Sequence, residues 1–136
     1  MICDTNVLVS GVLFGGHARG ILRLASRGVV VNFISPDILR EAENVLSRSK
    51  FDLRPEQVLE IIALFKDTFE IVIPSIRVRA ISTDPEDNHV IEAAQAARAK
   101  YIISGDKHLL ELKKWEDIQI VSPAHFMQTV IGQQSA

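Results

Sequence analysis

The residues of this chain best suited to chemistry are carboxylates: Asp4, Asp87 and Asp106, with Glu41 or Glu43 as a fourth. Gathered in one crevice they would repel one another, and some would hold protons, unless a cation sat among them. Mg²⁺ and Mn²⁺ prefer hard oxygen ligands, so a carboxylate cluster without thiolates suits them. Such ions lower the pKa of a bound water and stabilise charge on the attacking and leaving oxygens of a phosphodiester. The histidines, His17, His89, His108 and His125, are not spaced as a zinc site and read as surface or supporting residues.

The elements that must position these acids alternate along the chain. Met1-Ile2-Cys3 reads as the end of a buried strand, and Asp4 follows it at once. A loop with Gly11, Gly15 and Gly16 is expected next, then a helix over 17–27 stopped by Gly28. Residues 29–34 read as a second strand. Ser35-Pro36 opens a helix to about residue 49, with a capping hydroxyl and proline at the first helical position. Pro55 opens another helix, and residues 71–73 form a third strand. Asp84-Pro85 starts an alanine-rich helix to about residue 99, with Asp87 in its first turn. Residues 101–104 are a fourth strand, Asp106 caps a short helix, 118–121 are a fifth strand, and Pro123 opens a last helix.

Strands separated by helices pair in parallel, because a parallel connection needs a crossover. The strands are nearly all apolar, as expected when helices cover both faces. The expectation is an α/β domain, a three-layer α/β/α arrangement on a five-stranded parallel sheet, over residues 1–131 with a short polar tail at 132–136. Ligands of such sheets bind beyond the carboxyl ends of the strands, where Asp4 and Asp106 fall. Asp87 reaches that edge if the segment 78–83 carries the chain back across the sheet. Glu41 lies on the helix that follows the second strand. On a wheel of about 100° per residue, Glu41 and Glu43 border opposite sides of the stripe Ile38, Leu39, Ala42, Val45 and Leu46, so periodicity does not choose between them. Asp84 reads first as a helix cap that could approach a metal through water.

Bulk properties fit this picture. The chain of 136 residues is the size of one domain, and 47% hydrophobic content supplies a core. The single cysteine, Cys3, precludes an internal disulfide framework and is expected to pack in the core. A reducing cytoplasm is the expected compartment, with no membrane, because no apolar run approaches the ~18 residues of a span. The net charge of −2 argues against a generally basic coat, yet setting four of the 17 acids aside leaves 13 against 15 Lys plus Arg. That surface permits nucleic-acid binding. Arg19, Arg23 and Arg27 line one helix face, read as solvated or as a track for RNA or an acidic partner. Lys107 and His108 read as a solvated helix end that could touch phosphate, and Trp115 alone makes no stacking platform.

The chain resembles the PIN-domain nucleases, especially the toxin ribonucleases of type II toxin–antitoxin systems. The resemblance rests on Asp4-Thr5-Asn6-Val7-Leu8-Val9-Ser10, on Ser35-Pro36 through Glu41 to Val45-Leu46, on Asp84-Pro85-Glu86-Asp87-Asn88 with Ala93-Ala94, and on Ser104-Gly105-Asp106-Lys107-His108-Leu109-Leu110. Their order and spacing agree over about residues 1–125. The resemblance implies a five-stranded parallel sheet, Mg²⁺ or Mn²⁺, and endonucleolytic cleavage of RNA. It selects Glu41 over Glu43, makes Asp4, Glu41, Asp87 and Asp106 the acidic site, and gives Thr5, Asn6 and Ser104 supporting roles. It also implies a small antitoxin protein as partner, and homodimers are common in such families. Only three residues precede Asp4, where the family shows a longer first strand; this predicts a short central strand or a trimmed start. Two rival readings share the fold: a module that docks RNA or an antitoxin with weak or lost catalysis, and a nuclease directed at DNA or at nucleic-acid structure.

Overall fold

The computed structural model describes residues 1–77 and 85–132. Strand β1 (Ile2–Cys3) ends at Asp4, whose carboxylate accepts the Val7 N–H at 2.8 Å and caps helix α1 (Thr5–Leu13). Helix α2 (Gly16–Ser26) follows and ends at Arg27, with Gly28 taking the positive φ of 76° that the turn requires. Strand β2 (Phe33–Ile34) leads through the Ser35 cap into helix α3 (Pro36–Leu46). Helix α4 (Pro55–Thr68), strand β3 (Glu70–Ile71), helix α5 (Pro85–Ala97) and strand β4 (Tyr101–Ile103) come next. Helix α6 (Lys107–Leu112), the hairpin of β5 (Lys114–Trp115) and β6 (Ile118–Val121), and helix α7 (Pro123–His125) complete the order. A wider helical turn over Phe126–Ile131 continues α7.

The sheet order is β3-β2-β1-β4-β6-β5, parallel except for β5, which runs antiparallel to β6. Successive strand residues point to opposite faces. Ile2 and Cys3 on β1, and Ile102 and Ile103 on β4, are all buried, so helices cover both faces of the sheet. The α/β reading therefore holds, with Cys3 in the core. The sheet has six strands, where five were expected: charged Lys114 and the turn at Glu116-Asp117 hide a short edge strand that a periodic pattern does not reveal.

Two local expectations change. The segment after Asp4 is helix α1 and not a glycine loop. Val7, Leu8 and Val9 are buried, and packing overrides the modest helix propensity of β-branched residues. Gly11 sits inside α1 because α2 passes close: a Cβ there would meet Leu22 Cδ1 at 2.6 Å. The second and third strands are shorter than their apolar runs, since the ladder of β2 begins only at Phe33 and leaves Val29 and Val31 exposed. The crossing segment 78–83, the Asp84 cap and residues 133–136 lie outside the described residues. Among the described residues no single helix is long and apolar enough to cross a membrane.

Candidate active site

Strand order reverses between β1 and β4, since β2 and β3 lie on one side of β1 and β6 lies beyond β4. Loops leaving the carboxyl ends of β1 and β4 therefore diverge and open a crevice, the usual ligand position in such sheets. Asp4 leaves β1 there, with its N–H donating to the Ile103 carbonyl at 3.0 Å. Ser104 and Asp106 leave β4 beside it. The middle of α3 contributes Glu41, and the first turn of α5 contributes Asp87. One cleft is lined by Asp4, Thr5, Asn6, Glu41, Asp87, Val90 and Asp106. All four carboxylates predicted from sequence thus meet, from four separate elements. Glu43 is exposed, so burial agrees with Glu41.

Each acid is held by polar neighbours. The buried Ser104 hydroxyl donates to Asp4 Oδ2 and accepts the Asp106 N–H at 2.9 Å, joining the two aspartates through one oxygen. Asp106 caps α6 by accepting the His108 N–H at 2.7 Å. Its capping and cleft-lining positions are compatible, because the cap uses one carboxylate oxygen. Thr5 Oγ1 donates to Glu41 Oε2 at 3.1 Å, and His89 Nδ1 pairs with Glu41 Oε1. Thr5 and Ser104 thus contact the acids directly, while Asn6 stands exposed on the cleft wall.

Electrostatics give the cleft its character. Burial pushes the Asp4 carboxyl up to about 6, and the charges of Asp106 and Asp87 add to that rise; the hydrogen bonds from Ser104 and Val7 pull against it. No Lys or Arg is among the described residues lining the cleft. The donors are all hard oxygens, so the residues present fit Mg²⁺ or Mn²⁺ and not a thiolate-seeking metal. The cleft's volume of about 60 Å³ accommodates an ion with a few waters.

A second cluster lies alongside. One ligand atom each from Asp37, His89 and Glu92 falls within 4.8 Å of the others. Arg77 enters this group, its Nη1 donating to Asp37 Oδ2 at 2.9 Å and to Glu92 Oε1 at 3.1 Å. Burial opposes the charge of Asp37, but the bonds from Arg77 and Arg40 and the nearby His89 outweigh it and hold the carboxyl below its usual value. A metal here would have to displace a guanidinium, so the cleft is the better cation site of the two.

The PIN domain family model matches residues 1–108. The chain belongs to the PIN-domain family. A search of curated proteins finds no match. PIN domains are generally nucleases, so the acidic cleft lies in a nuclease fold, and the matched residues include every acid that lines it. Within this PIN domain, sequence reasoning left His89 as a surface or supporting residue and passed over Asp37, Arg77 and Glu92. Glu92 carried a signal: it interrupts the apolar run Val90-Ile91-Glu92-Ala93-Ala94, and a charge so placed needs a partner. Arg19 also differs from a purely solvated face. It donates to the Gly11 and Val12 carbonyls, each at 2.9 Å, and ties α2 to the end of α1, while Arg23 and Arg27 remain exposed.

Proposed function

We propose that this PIN domain is a Mg²⁺- or Mn²⁺-dependent endoribonuclease that hydrolyses RNA phosphodiester bonds, acting as the toxin of a toxin–antitoxin pair. The observation that carries the metal-dependent reading is the convergence of Asp4, Glu41, Asp87 and Asp106 on one small cleft with no Lys or Arg in its described lining. Asp4, Asp87 and Asp106 would hold the cation, with Glu41 as a further ligand or as the group that orients the attacking water. A divalent ion bound there would supply an acidified water and charge stabilisation on the phosphate oxygens. The side chains do the positioning. Ser104 fixes the relative placement of Asp4 and Asp106. Thr5 and His89 hold both oxygens of Glu41, leaving it little rotamer freedom. Asn6, exposed on the wall, is placed to donate to a phosphate oxygen of a strand lying across the mouth.

RNA as substrate and the toxin role rest on the resemblance of the Asp4-Thr5-Asn6 and Ser104-Gly105-Asp106 segments to toxin ribonucleases. The same resemblance supports a small antitoxin protein that covers the cleft and a homodimer, and the single cysteine fits a reducing cytoplasm. Parallel assays on single-stranded RNA and single-stranded DNA, with Mg²⁺ or Mn²⁺ and with a chelator, test the reading. RNA cleavage that the chelator abolishes is expected. Cleavage of DNA alone would replace the substrate. Cleavage that survives chelation would remove the metal.

A further inference from the structure

We propose that Arg77 is a positioning residue for the acidic cleft, a guanidinium staple that sets the spacing of the two helices carrying Glu41 and Asp87. The inference rests on the metal-binding reading of the cleft and deepens it. Arg77 lies beyond β3, outside both helices it joins. Its Nη1 donates to Asp37 on α3 at 2.9 Å and to Glu92 on α5 at 3.1 Å. Asp37 precedes Glu41 by one helical turn and His89 precedes Glu92 by three residues, so each pair shares a helix face. Those faces meet, because His89 pairs with Glu41. Among the described residues, the α3–α5 seam is thus cross-linked at two places. The inner one reaches Glu41 itself. The outer one, through Arg77, closes the seam beside it, and Asp87 lies two residues before His89 on the same helix.

Charge explains why the outer link must be cationic. Asp37 and Glu92 approach closely enough for one nitrogen to reach both, and the Glu92 side chain is only 3% exposed. Without the guanidinium the repulsion between these carboxylates across the seam is opposed less, although Arg40 and His89 still stand beside Asp37. The two N–H bonds of Nη1 are fixed in the guanidinium plane, which sets their direction in a way a freely rotating lysine ammonium does not. Spreading of the seam would move Glu41 relative to Asp87 and Asp4, and a metal ligand displaced by a fraction of an ångström loses affinity.

The test uses the full chain and a charge-balanced variant. Arg77→Met combined with Glu92→Gln removes one positive and one negative charge together, so the net field at the cleft stays nearly constant while the staple is lost. Mn²⁺ titration by calorimetry, well below the melting temperature, should show affinity reduced about 10-fold. Arg77→Lys, which keeps the charge, should fall between this variant and wild type. Hydrogen exchange of the metal-free proteins gives a second readout: amide protection along α3 and α5 should fall in the double variant while α4 keeps its protection. Unchanged Mn²⁺ affinity with unchanged exchange would overturn the staple, as would changed exchange with wild-type affinity. If wild type itself binds no Mn²⁺, the metal reading fails, and exchange then decides the staple alone: lost protection along α3 and α5 supports it, and unchanged protection overturns it.

Discussion

Two groups of acids stand side by side in this PIN domain, and among the described residues an arginine bridges only one of them. Asp37 and Glu92 receive Arg77, whose guanidinium reaches both at hydrogen-bond distance. Asp4, Glu41, Asp87 and Asp106 line a cleft with no Lys or Arg in its described wall, and burial raises the Asp4 carboxyl to about 6. Charge removed from water must be answered by protons, by an internal partner or by an ion. The first group is answered from within and serves the fold. The second has acids hydrogen-bonded to Ser104, Thr5 and His89, and is the group proposed to take an ion. Removing charge should therefore have opposite consequences in the two regions.

The largest effect is expected in the cleft. Asp4→Asn should lower cleavage at least about 100-fold, the scale of a lost essential group, while the metal-free melting temperature stays within a few degrees of wild type or rises. RNA cleavage assays and thermal unfolding check both halves. Glu41→Gln should lower turnover by a similar order, whereas Glu43→Gln, on the exposed border of the same helix, should leave it unchanged; the pair tests whether α3 presents the acid that lines the cleft. In the other group the pattern should invert. Arg77→Met, with Glu92 left charged, should lower the melting temperature by several degrees, within the range a single lost polar network produces.

A subtler expectation concerns pH. Burial holds the folded Asp4 carboxyl at about 6 against 3.8 for a free side chain, so the folded state holds its proton more tightly than the unfolded chain. The stability this supplies is complete below pH 3.8 and is lost as pH rises through about 6. Metal-free protein should thus lose up to about 3 kcal/mol from this group across that window, with other groups titrating on top. Divalent ions need the deprotonated form, so Mn²⁺ affinity should increase over the same interval. Denaturant melts at several pH values, with and without Mn²⁺, measure both slopes.

Much of this was legible in the sequence because it follows from punctuation. Ser35-Pro36 and the apolar strands at Ile2-Cys3 and Ile102-Ile103 announced elements and edges, and the carboxyl-edge rule then placed Asp4 and Asp106. Glu41 needed family resemblance, since periodicity treats it and Glu43 alike. The parts that were not legible depend on contacts between distant segments. Helix α1 forms because Val7, Leu8 and Val9 are buried by the rest of the domain, against a local glycine signal whose Gly11 serves close packing on Leu22. The Arg77 staple joins residues 40 and 15 positions apart, and no local pattern links an exposed arginine to two carboxylates on different helices. His89 likewise reads as a surface side chain until α3 and α5 are brought together.

The cleft, and not its neighbour, is the proposed place for a divalent ion. Calorimetric titration of Mn²⁺ at pH 7 into wild type, Asp4→Asn and Asp37→Asn tests it most directly. Wild type should bind saturably, Asp4→Asn should lose that binding, and Asp37→Asn should retain it, at reduced affinity at most. No binding to wild type, or binding lost in Asp37→Asn and kept in Asp4→Asn, would contradict it.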